Sequence, residues 1–364
     1  MSDAQPINPP QKLEWLQVLR AVAALAVLLF HARPILPDWG VLQKVLGQGF
    51  FGVDIFFCLS GYVICATCER KAQSLGNGIR FIAERFSRIY LGYWPALLLT
   101  WALAWYGIRP ITELSAKSMK SIFLLTVDMY SYWLEVAWSL AFEVRFYLIV
   151  FVAYFMLKLK ISFSNIVLAS LPLVLYGMWL YGFRFGQTTD NVLALREILS
   201  TLYLEFCFGV YAYKLNQSRQ IRLHEVVYLA VPALLLVAAG SHDMVFAAHD
   251  LMRAGTYGLA ALLILLIFIG IQNSGRKANK IMVAIGDGSY SLYLVHPLLL
   301  AVAFKMTETF PAAIKMSAPL LLIVITGLCY VWYVLVEKRL YRAAKKIIHR
   351  STAAGRSGAA PTES

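Results

Sequence analysis

Apolar runs of about 20 residues recur along the chain, separated by short polar segments that are rich in lysine and arginine. A run of this length, coiled as a helix, spans the roughly 30 Å hydrocarbon core of a membrane. The pattern therefore predicts an all-α integral membrane protein with about ten transmembrane helices. We place these spans roughly at residues 13–36, 48–68, 89–107, 137–158, 163–183, 195–214, 224–240, 252–271, 281–304 and 316–336.

The loop charges predict the orientation. With the N-terminus placed inside, roughly twice as many lysines and arginines fall on the cytoplasmic side as on the other, which is the bias that cytoplasmic loops carry. Both termini are therefore predicted to be cytoplasmic. We expect a disordered N-terminus over residues 1–12, a transmembrane domain over 13–336, and a basic cytoplasmic tail over 337–364 that anchors to the inner leaflet, with no soluble domain appended.

Composition excludes several other classes. The 364 residues are 60% hydrophobic and only 15% charged, whereas soluble domains carry about 25% charged residues. The net charge of +13 follows from the cytoplasmic loops, so nucleic acid is not an expected partner. Cys65 and Cys68 form a CxxC pair, but no second ligand pair stands at a suitable spacing and no metal site is predicted.

Two polar residues lie within the first apolar run. Arg20 and His31 are eleven residues apart, which is within about 20° of three helical turns, so both lie on one stripe about 16 Å apart. Ionisable residues inside a membrane mark functional sites by default, and histidine moves protons near neutral pH. The pair suggests a buried proton-transfer site.

The second span opens with the segment GQGFFGVDIFFCLSGYVI. Asp54 stands at a depth similar to that of His31, and we expect it to accept a hydrogen bond from the imidazole and orient the ring. The alternative is an acidic residue stabilised by the N-terminal helix dipole. Close backbone approach is expected at four glycines: Gly47, Gly49, Gly52 and Gly61.

Arg85 and Arg88 precede the third span and share a helix face at its cytoplasmic end. Two guanidinium groups on one face suit a phosphate or pyrophosphate. The alternative is a positively charged cytoplasmic cluster that binds no ligand.

The fourth span contains the segment WSLAFEVRFYL. Ser139, Glu143 and Tyr147 step by four residues and form one polar stripe, while Trp138 and Arg145 share another. Glu143 could belong to a catalytic relay, but we favour a structural role in which it neutralises an intramembrane arginine.

The ninth span contains GDGSYSLYLVHPLLL. His296 precedes Pro297 and forms a second polar cluster with Ser289, Tyr290 and Tyr293. The alternative is a buried histidine whose hydrogen bonds are satisfied by the neighbouring hydroxyl groups.

Taken in order, these segments resemble the membrane-bound acyltransferase family 3, which includes bacterial O-acetyltransferases of surface polysaccharides and exopolysaccharides. The resemblance covers roughly residues 13–336. Its motifs are the basic residue and histidine at Arg20 and His31, the glycine-rich GFFGVDIFFCLSGYVI, the arginine pair at Arg85 and Arg88 followed by Pro95, the run WSLAFEVRFYL, and the late SYSLYLVHP.

The resemblance implies an activity. Acetyl-CoA, or another acyl-CoA, is the expected donor, and a hydroxyl of an exported or lipid-linked glycan is the expected acceptor. His31 would act as general base and Asp54 would orient it, with Arg20, Glu143 and Ser139 as further catalytic residues. The donor would bind Arg85, Arg88, Ser60 and Tyr62, and the acceptor would bind Trp138, Tyr147, His296 and Tyr290. No metal is expected.

Two departures from the family pattern stand out. Arg145 follows the glutamate where relatives often carry glutamine or an aromatic residue, and the periplasmic esterase-like domain of many relatives is not seen. The resemblance implies the inner membrane of a bacterium, with lipids and polysaccharide-assembly proteins as further partners. The competing interpretations are a proton-coupled transporter or flippase of a lipid-linked glycan, which would use the buried charges as a proton relay, and a sensor or structural membrane protein.

Overall fold

The computed structural model describes residues 13–38, 40–109, 119–125, 131–157, 160–184, 201–239 and 251–357. Within these ranges every regular element is a helix. The helices are α1 (Glu14–Ala32), α2 (Val41–Gly47), α3 (Gly52–Cys68), α4 (Leu75–Trp105), α5 (Trp138–Val150), α6 (Phe163–Arg184), α7 (Thr201–Ser218), α8 (Leu223–Ala239), α9 (Leu259–Asn273), α10 (Lys280–Asp287), α11 (Ser289–Thr309), α12 (Pro311–Trp332) and α13 (Lys338–Ser357).

The described helices confirm an all-α integral membrane protein. Six helical segments are long and apolar enough to cross a membrane, and two shorter apolar segments lie in α6 and α8. Each predicted span overlaps a helix, although the start of the sixth falls outside the described residues. The count of ten and the cytoplasmic placement of both ends stay predictions, as do the domain boundaries. The six segments are Glu14–Ile35, Val41–Cys68, Glu135–Met156, Ala254–Asn273, Ser289–Thr309 and Pro311–Arg350.

Two helical segments are much longer than a membrane is thick: α4, and the continuous segment formed by α12 and α13. α4 starts at Leu75, well before the predicted residue 89, because the side chain of Ser74 caps it by accepting a hydrogen bond from the backbone N–H of Asn77 at 3.3 Å. Its 31 residues extend over about 46 Å. α13 continues from α12 through a π-helical turn at Tyr333–Glu337 and contacts the first part of α4.

The predicted ninth span is two helices rather than one. α10 ends at Asp287 and α11 begins at Ser289, so the chain breaks at Gly288. The break places the polar residues of SYSLYLVHP along the first turns of α11, where Ser289, Ser291 and His296 are all buried.

Three of the four predicted glycines bring the central helices into direct backbone contact, whereas Gly47 faces the side chain of Arg33. A methyl group on Gly49 or Gly52 would lie 2.1 or 2.3 Å from a carbonyl oxygen of α1, at Ala26 or Ala23. One on Gly61 would lie 2.0 Å from a carbonyl oxygen of α7. α1 is thereby held between α3, α10 and α11, and this close packing fixes the position of its two polar residues.

Candidate active site

Two helices, α1 and α11, line two separate cavities. One, which we call the arginine cavity, has a volume of about 310 Å³. Its polar lining residues are Gln17, Arg20, Ser60, Arg85, Arg88, Ser139, Glu143, Tyr147, Ser289, Tyr290 and Tyr293.

The other, the histidine cavity, has a volume of about 340 Å³. It is lined by His31, Ile108, Arg109, Glu135, Pro297, Leu300, Ala301, Phe304, Lys305 and Glu308. The two cavities share no lining residue. Both volumes fall in the range of small-molecule sites, about 300–1,000 Å³.

Arg20 and His31 both face α11, which confirms that they lie on one side of α1. Arg20 Nε donates to Ser289 Oγ at 3.1 Å, and His31 Nδ1 lies 3.1 Å from His296 Nε2. The eleven-residue spacing therefore puts Arg20 in the arginine cavity and His31 in the histidine cavity.

His31, which is half-buried, and His296, which is fully buried, form an imidazole pair. Their ring centroids are 5.1 Å apart. His31 Nδ1 is also 2.9 Å from the carbonyl oxygen of Val27, and His296 Nδ1 is 2.8 Å from that of Leu292. His296, expected to bind the acceptor, lies outside the lining of both cavities and instead contacts His31. The alternative, satisfaction by neighbouring hydroxyl groups, is also wrong, because its partners are a second histidine and the backbone.

The expected hydrogen bond from His31 to Asp54 is wrong. Asp54 is fully buried and accepts two parallel hydrogen bonds from Arg253, from Nε to Oδ1 at 3.0 Å and from Nη2 to Oδ2 at 2.9 Å. Arg253 is itself 1% exposed. A buried carboxylate needs a charge partner, and a guanidinium with bidentate geometry satisfies Asp54 better than a neutral imidazole could.

The arginine cavity has a positive lining, because Arg20, Arg85 and Arg88 face a single acidic residue, Glu143. Arg85 Nη2 donates to Thr67 Oγ1 at 3.2 Å, and its guanidinium lies 5.8 Å from the ring centre of Tyr147. The arrangement matches the predicted pair of guanidiniums and suits an anionic ligand.

Glu143 is close enough to Arg20 and Arg88 to interact with both electrostatically, in keeping with the predicted neutralisation of an intramembrane arginine. It also accepts a very short hydrogen bond from Tyr147 and one of 3.4 Å from Ser60. The predicted stripe of residues four apart is confirmed, because Ser139, Glu143 and Tyr147 all line the arginine cavity.

Ser139 and Tyr293 lie side by side in the lining of the arginine cavity. Their hydroxyl oxygens are 2.8 Å apart, and both lie near the carbonyl oxygen of Val136, at 3.2 and 2.9 Å. Tyr293 stands one helical turn before His296, with ring centroids 6.3 Å apart. This hydrogen-bonded pair therefore lies between the arginine cavity and the histidine pair.

The other predicted site residues separate into two groups. Ser60 lines the arginine cavity, as do Tyr147 and Tyr290, which were expected to bind the acceptor. Tyr62 and Trp138 line neither cavity: Tyr62 accepts a hydrogen bond of 3.3 Å from Asn216, and Trp138 packs against Phe142. Their position gives no support to the donor role predicted for Tyr62 or the acceptor role predicted for Trp138.

Sequence reasoning missed three charged residues near the site. Glu205 is fully buried close to Asp54 and Arg253, and Glu337 interacts electrostatically with Arg20 and Arg88. Glu205 lies inside a predicted span, which was a usable signal, because an intramembrane carboxyl implies a nearby cation. Arg253 and Glu337 were missed because they lie at the ends of predicted spans, where a charged residue is expected to belong to a loop.

Within the described part of the chain no three histidine, cysteine or acidic residues come together as a metal site. The five cysteines are free and buried. Cys65 and Cys68 therefore pack as small apolar residues.

Comparison with known proteins identifies one family and several relatives. Residues 13–337 match the acyltransferase domain of the acyltransferase 3 family. The chain is 26% identical to the putative membrane-bound transacylase BcsY of Komagataeibacter xylinus over 341 residues, covering 88% of this chain and 81% of that protein.

It is also 26% identical to the O-acetyltransferase OatA of Staphylococcus aureus over 322 residues. That match covers 79% of this chain, which spans half the length of OatA. No solved structure matches the chain. Since the family match covers nearly all of the described helices, this chain is a member of the acyltransferase 3 family of membrane-bound acyltransferases.

Proposed function

We propose that this protein is a membrane O-acetyltransferase that moves an acetyl group from acetyl-CoA to a hydroxyl group of a glycan, with His31 as the general base. The observation that carries the proposal is the position of His31. It lines one cavity, while Arg20, about 16 Å from it along the same helix, lines a second cavity that is positively charged.

The arginine cavity is the proposed donor site. Arg85 and Arg88 would bind the CoA phosphates at the predicted cytoplasmic mouth, and the pantetheine arm would extend past Arg20 toward Ser139 and Tyr293. Guanidinium groups bind phosphates through parallel hydrogen bonds, and the single glutamate in the lining leaves an excess of positive charge.

The histidine cavity is the proposed acceptor site. Its lining combines an apolar floor, which includes Phe304 and Leu300, with two ion pairs, Arg109–Glu135 and Lys305–Glu308. A sugar offers a similar combination of an apolar ring face and hydroxyl groups that donate and accept hydrogen bonds. The relatives' names, a transacylase and an O-acetyltransferase, agree with an acceptor hydroxyl.

The proposed reaction is balanced without a metal. His31 takes the proton of the acceptor hydroxyl as its oxygen attacks the thioester carbonyl carbon. The new C–O bond forms, the C–S bond breaks, and the proton on His31 passes to the departing thiolate to give CoA. For this the thioester must pass the Ser139–Tyr293 pair. A positioned general base contributes about 10²–10⁴-fold in rate.

The test uses purified protein in liposomes with radiolabelled acetyl-CoA and lipid-linked glycan from a bacterium that produces it, as expected for an enzyme of the bacterial inner membrane. Wild type is compared with His31→Ala and with a matched control, His224→Ala, at an exposed histidine of α8. We expect the label to move to glycan in wild type and in the control, and a loss of at least about 10²-fold in His31→Ala. Full activity of His31→Ala would overturn the role of His31. Folded wild-type protein that transfers no label would favour a transporter instead.

A further inference from the structure

His296 has a defined hydrogen-bonding state, set by its own helix. Its side chain is fully buried, and Nδ1 lies 2.8 Å from the carbonyl oxygen of Leu292, one turn earlier in α11. A carbonyl oxygen can only accept a hydrogen bond, so Nδ1 carries the hydrogen. In the neutral ring Nε2 then holds a lone pair.

The same reasoning assigns the hydrogen on His31. Its Nδ1 lies 2.9 Å from the carbonyl oxygen of Val27 and 3.1 Å from His296 Nε2, and both of these atoms are acceptors. Nδ1 therefore carries the hydrogen and donates it between them. The lone pair of His31 is left on Nε2, which makes no hydrogen bond within the described residues, on a side chain that lines the histidine cavity.

We propose that His296 is a positioning residue for His31: by accepting the Nδ1 hydrogen it fixes the ring so that Nε2, with its lone pair, is the atom that receives the acceptor proton. This inference rests on the proposed function and deepens it, because it names the reacting atom of the base and the residue that prepares it. The carbonyl of Val27, one turn earlier in α1, favours the same tautomer, and His296 adds a second acceptor on another helix, which fixes the orientation of the ring relative to α11.

The pair also carries the charge that forms during transfer. When Nε2 of His31 takes the hydroxyl proton, the ring becomes an imidazolium, and its bond from Nδ1 to the neutral His296 becomes charge-assisted and stronger. The proton on Nε2 then passes to the thiolate, and the pair returns to its neutral state. In serine proteases a carboxylate performs the orienting role; here a second, uncharged imidazole performs it, because Asp54 is held by Arg253.

Two substitutions separate positioning from packing. In His296→Gln the amide oxygen stands the same number of bonds from Cα as Nε2, so an acceptor for His31 is kept. His296→Leu fills similar space without an acceptor. We expect His296→Leu to lower kcat by about 10²-fold with the KM for acetyl-CoA unchanged, as befits a group that acts only on the base. We expect His296→Gln to keep kcat within a few-fold of wild type.

A spectroscopic measurement tests the same idea without any activity assay. Solid-state ¹⁵N NMR of histidine-labelled protein in liposomes, with His31→Gln used to assign the signal, reports which nitrogen of His31 carries the hydrogen. We expect protonated Nδ1 and unprotonated Nε2 in wild type and in His296→Gln, and in His296→Leu an Nδ1 signal shifted by the loss of its second acceptor, because only the carbonyl of Val27 is left.

Three results would contradict part of this proposal. A wild-type His31 protonated on Nε2, or equal kcat in His296→Leu and wild type, would overturn the positioning role. Equal losses in the Gln and Leu variants would reduce His296 to a packing residue. If wild type transfers no acyl group but shows the expected tautomer, the positioning of His31 stands and the proposed function fails.

Discussion

Arg253 holds Asp54 through two parallel hydrogen bonds in a place where neither side chain reaches solvent. The pair joins the start of α3 to the short helical turn Leu251–Arg253 that leads toward α9. Removing one partner of a buried ion pair leaves the other charge without compensation, at a cost of about 3–5 kcal/mol.

We therefore expect Arg253→Met to lower the thermal stability of the protein in detergent sharply, by about 3–5 kcal/mol. The double variant Arg253→Met/Asp54→Leu should recover part of that loss, because the charge of Asp54 is removed together with its partner while Glu205 still loses its nearby cation. A thermal unfolding series of the two single variants and the double variant measures the coupling. Equal stability of Arg253→Met and wild type would contradict the importance of this pair.

The contact between Gly52 and α1 leads to a second prediction. A methyl group on Gly52 would lie 2.3 Å from the carbonyl oxygen of Ala23, so Gly52→Ala must push α1 away from α3, at a cost of about 1–3 kcal/mol. Gly76→Ala is the matched control, because Gly76 lies within α4 with nothing within 4 Å of the added methyl group. There we expect a neutral change or a gain of up to about 1 kcal/mol in helix propensity. Melting temperatures of the two variants give the comparison, and an unaffected Gly52→Ala would contradict the close packing.

The proposed donor site can be tested by combining an arginine substitution with a donor that lacks the phosphates. A hydrogen bond to a charged group is worth about 1.5–3 kcal/mol, so Arg88→Ala should raise the KM for acetyl-CoA about tenfold or more. The variant should leave the KM for acetyl-pantetheine, which lacks the phosphates, unchanged. Arg222→Ala, at an exposed arginine, serves as the control. An equal effect on both donors would show that Arg88 does not bind phosphate.

At the proposed acceptor site a substitution should change the KM for the glycan and not that for the donor. Glu135 pairs with Arg109 at 2.8 Å at the edge of the histidine cavity, and its side chain is 62% exposed. Exposed ion pairs contribute about 0–1 kcal/mol to stability, so Glu135→Gln should fold normally. We expect it to raise the KM for the glycan several-fold and to leave that for acetyl-CoA unchanged. Steady-state kinetics with each substrate varied in turn will decide, and a changed donor KM would place Glu135 elsewhere in the reaction.

The contact of α13 with the start of α4 should depend on pH. Burial acts to raise the pKa of Glu84, but the hydrogen bond from Arg80 and the nearby Lys71 and Lys345 outweigh it, so the pKa lies below its usual 4.5. His349 completes the contact, at 2.9 Å from Arg80. A carboxyl with a lowered pKa stabilises the folded state at neutral pH, and this contribution is lost as the pH falls through the folded-state value.

We therefore expect α13 to separate from α4 as the pH falls below 4.5 and Glu84 becomes protonated. Spin labels at Ile79→Cys and Ile347→Cys, both exposed, would report the separation, since the native cysteines are buried. The same labels in Glu84→Gln should show a distance that no longer changes over this range. An unchanged distance in the wild type would contradict the prediction.

The sequence predicted most reliably which residues share one face of a helix, because helical periodicity determines this. The spacing of Arg20 and His31 placed both on the face of α1 that meets α11, and the glycines before and within α3 marked the close helix contacts. Arg85, Arg88, Glu143 and Tyr147 were predicted to be site residues for the same reason, and all four line one cavity.

Periodicity could not predict which residues on different helices contact each other. Asp54 was assigned to His31 because the two share a depth, but depth does not fix which helix lies opposite. Arg253 lies 199 residues from Asp54 and read as a loop charge. His296 was assigned to the acceptor from the family resemblance, whereas the structure places it on α11, which begins after Gly288, with its Nε2 3.1 Å from His31 Nδ1.

The separation of the two cavities has a consequence for the membrane itself. Under the proposed function, an enzyme that carries an acetyl group across the bilayer must not let protons or ions leak down their gradients. Among the described residues the arginine and histidine cavities share no lining residue, and we expect this separation to limit such leakage. In an energised membrane the resting protein is therefore expected to dissipate little of the proton-motive force.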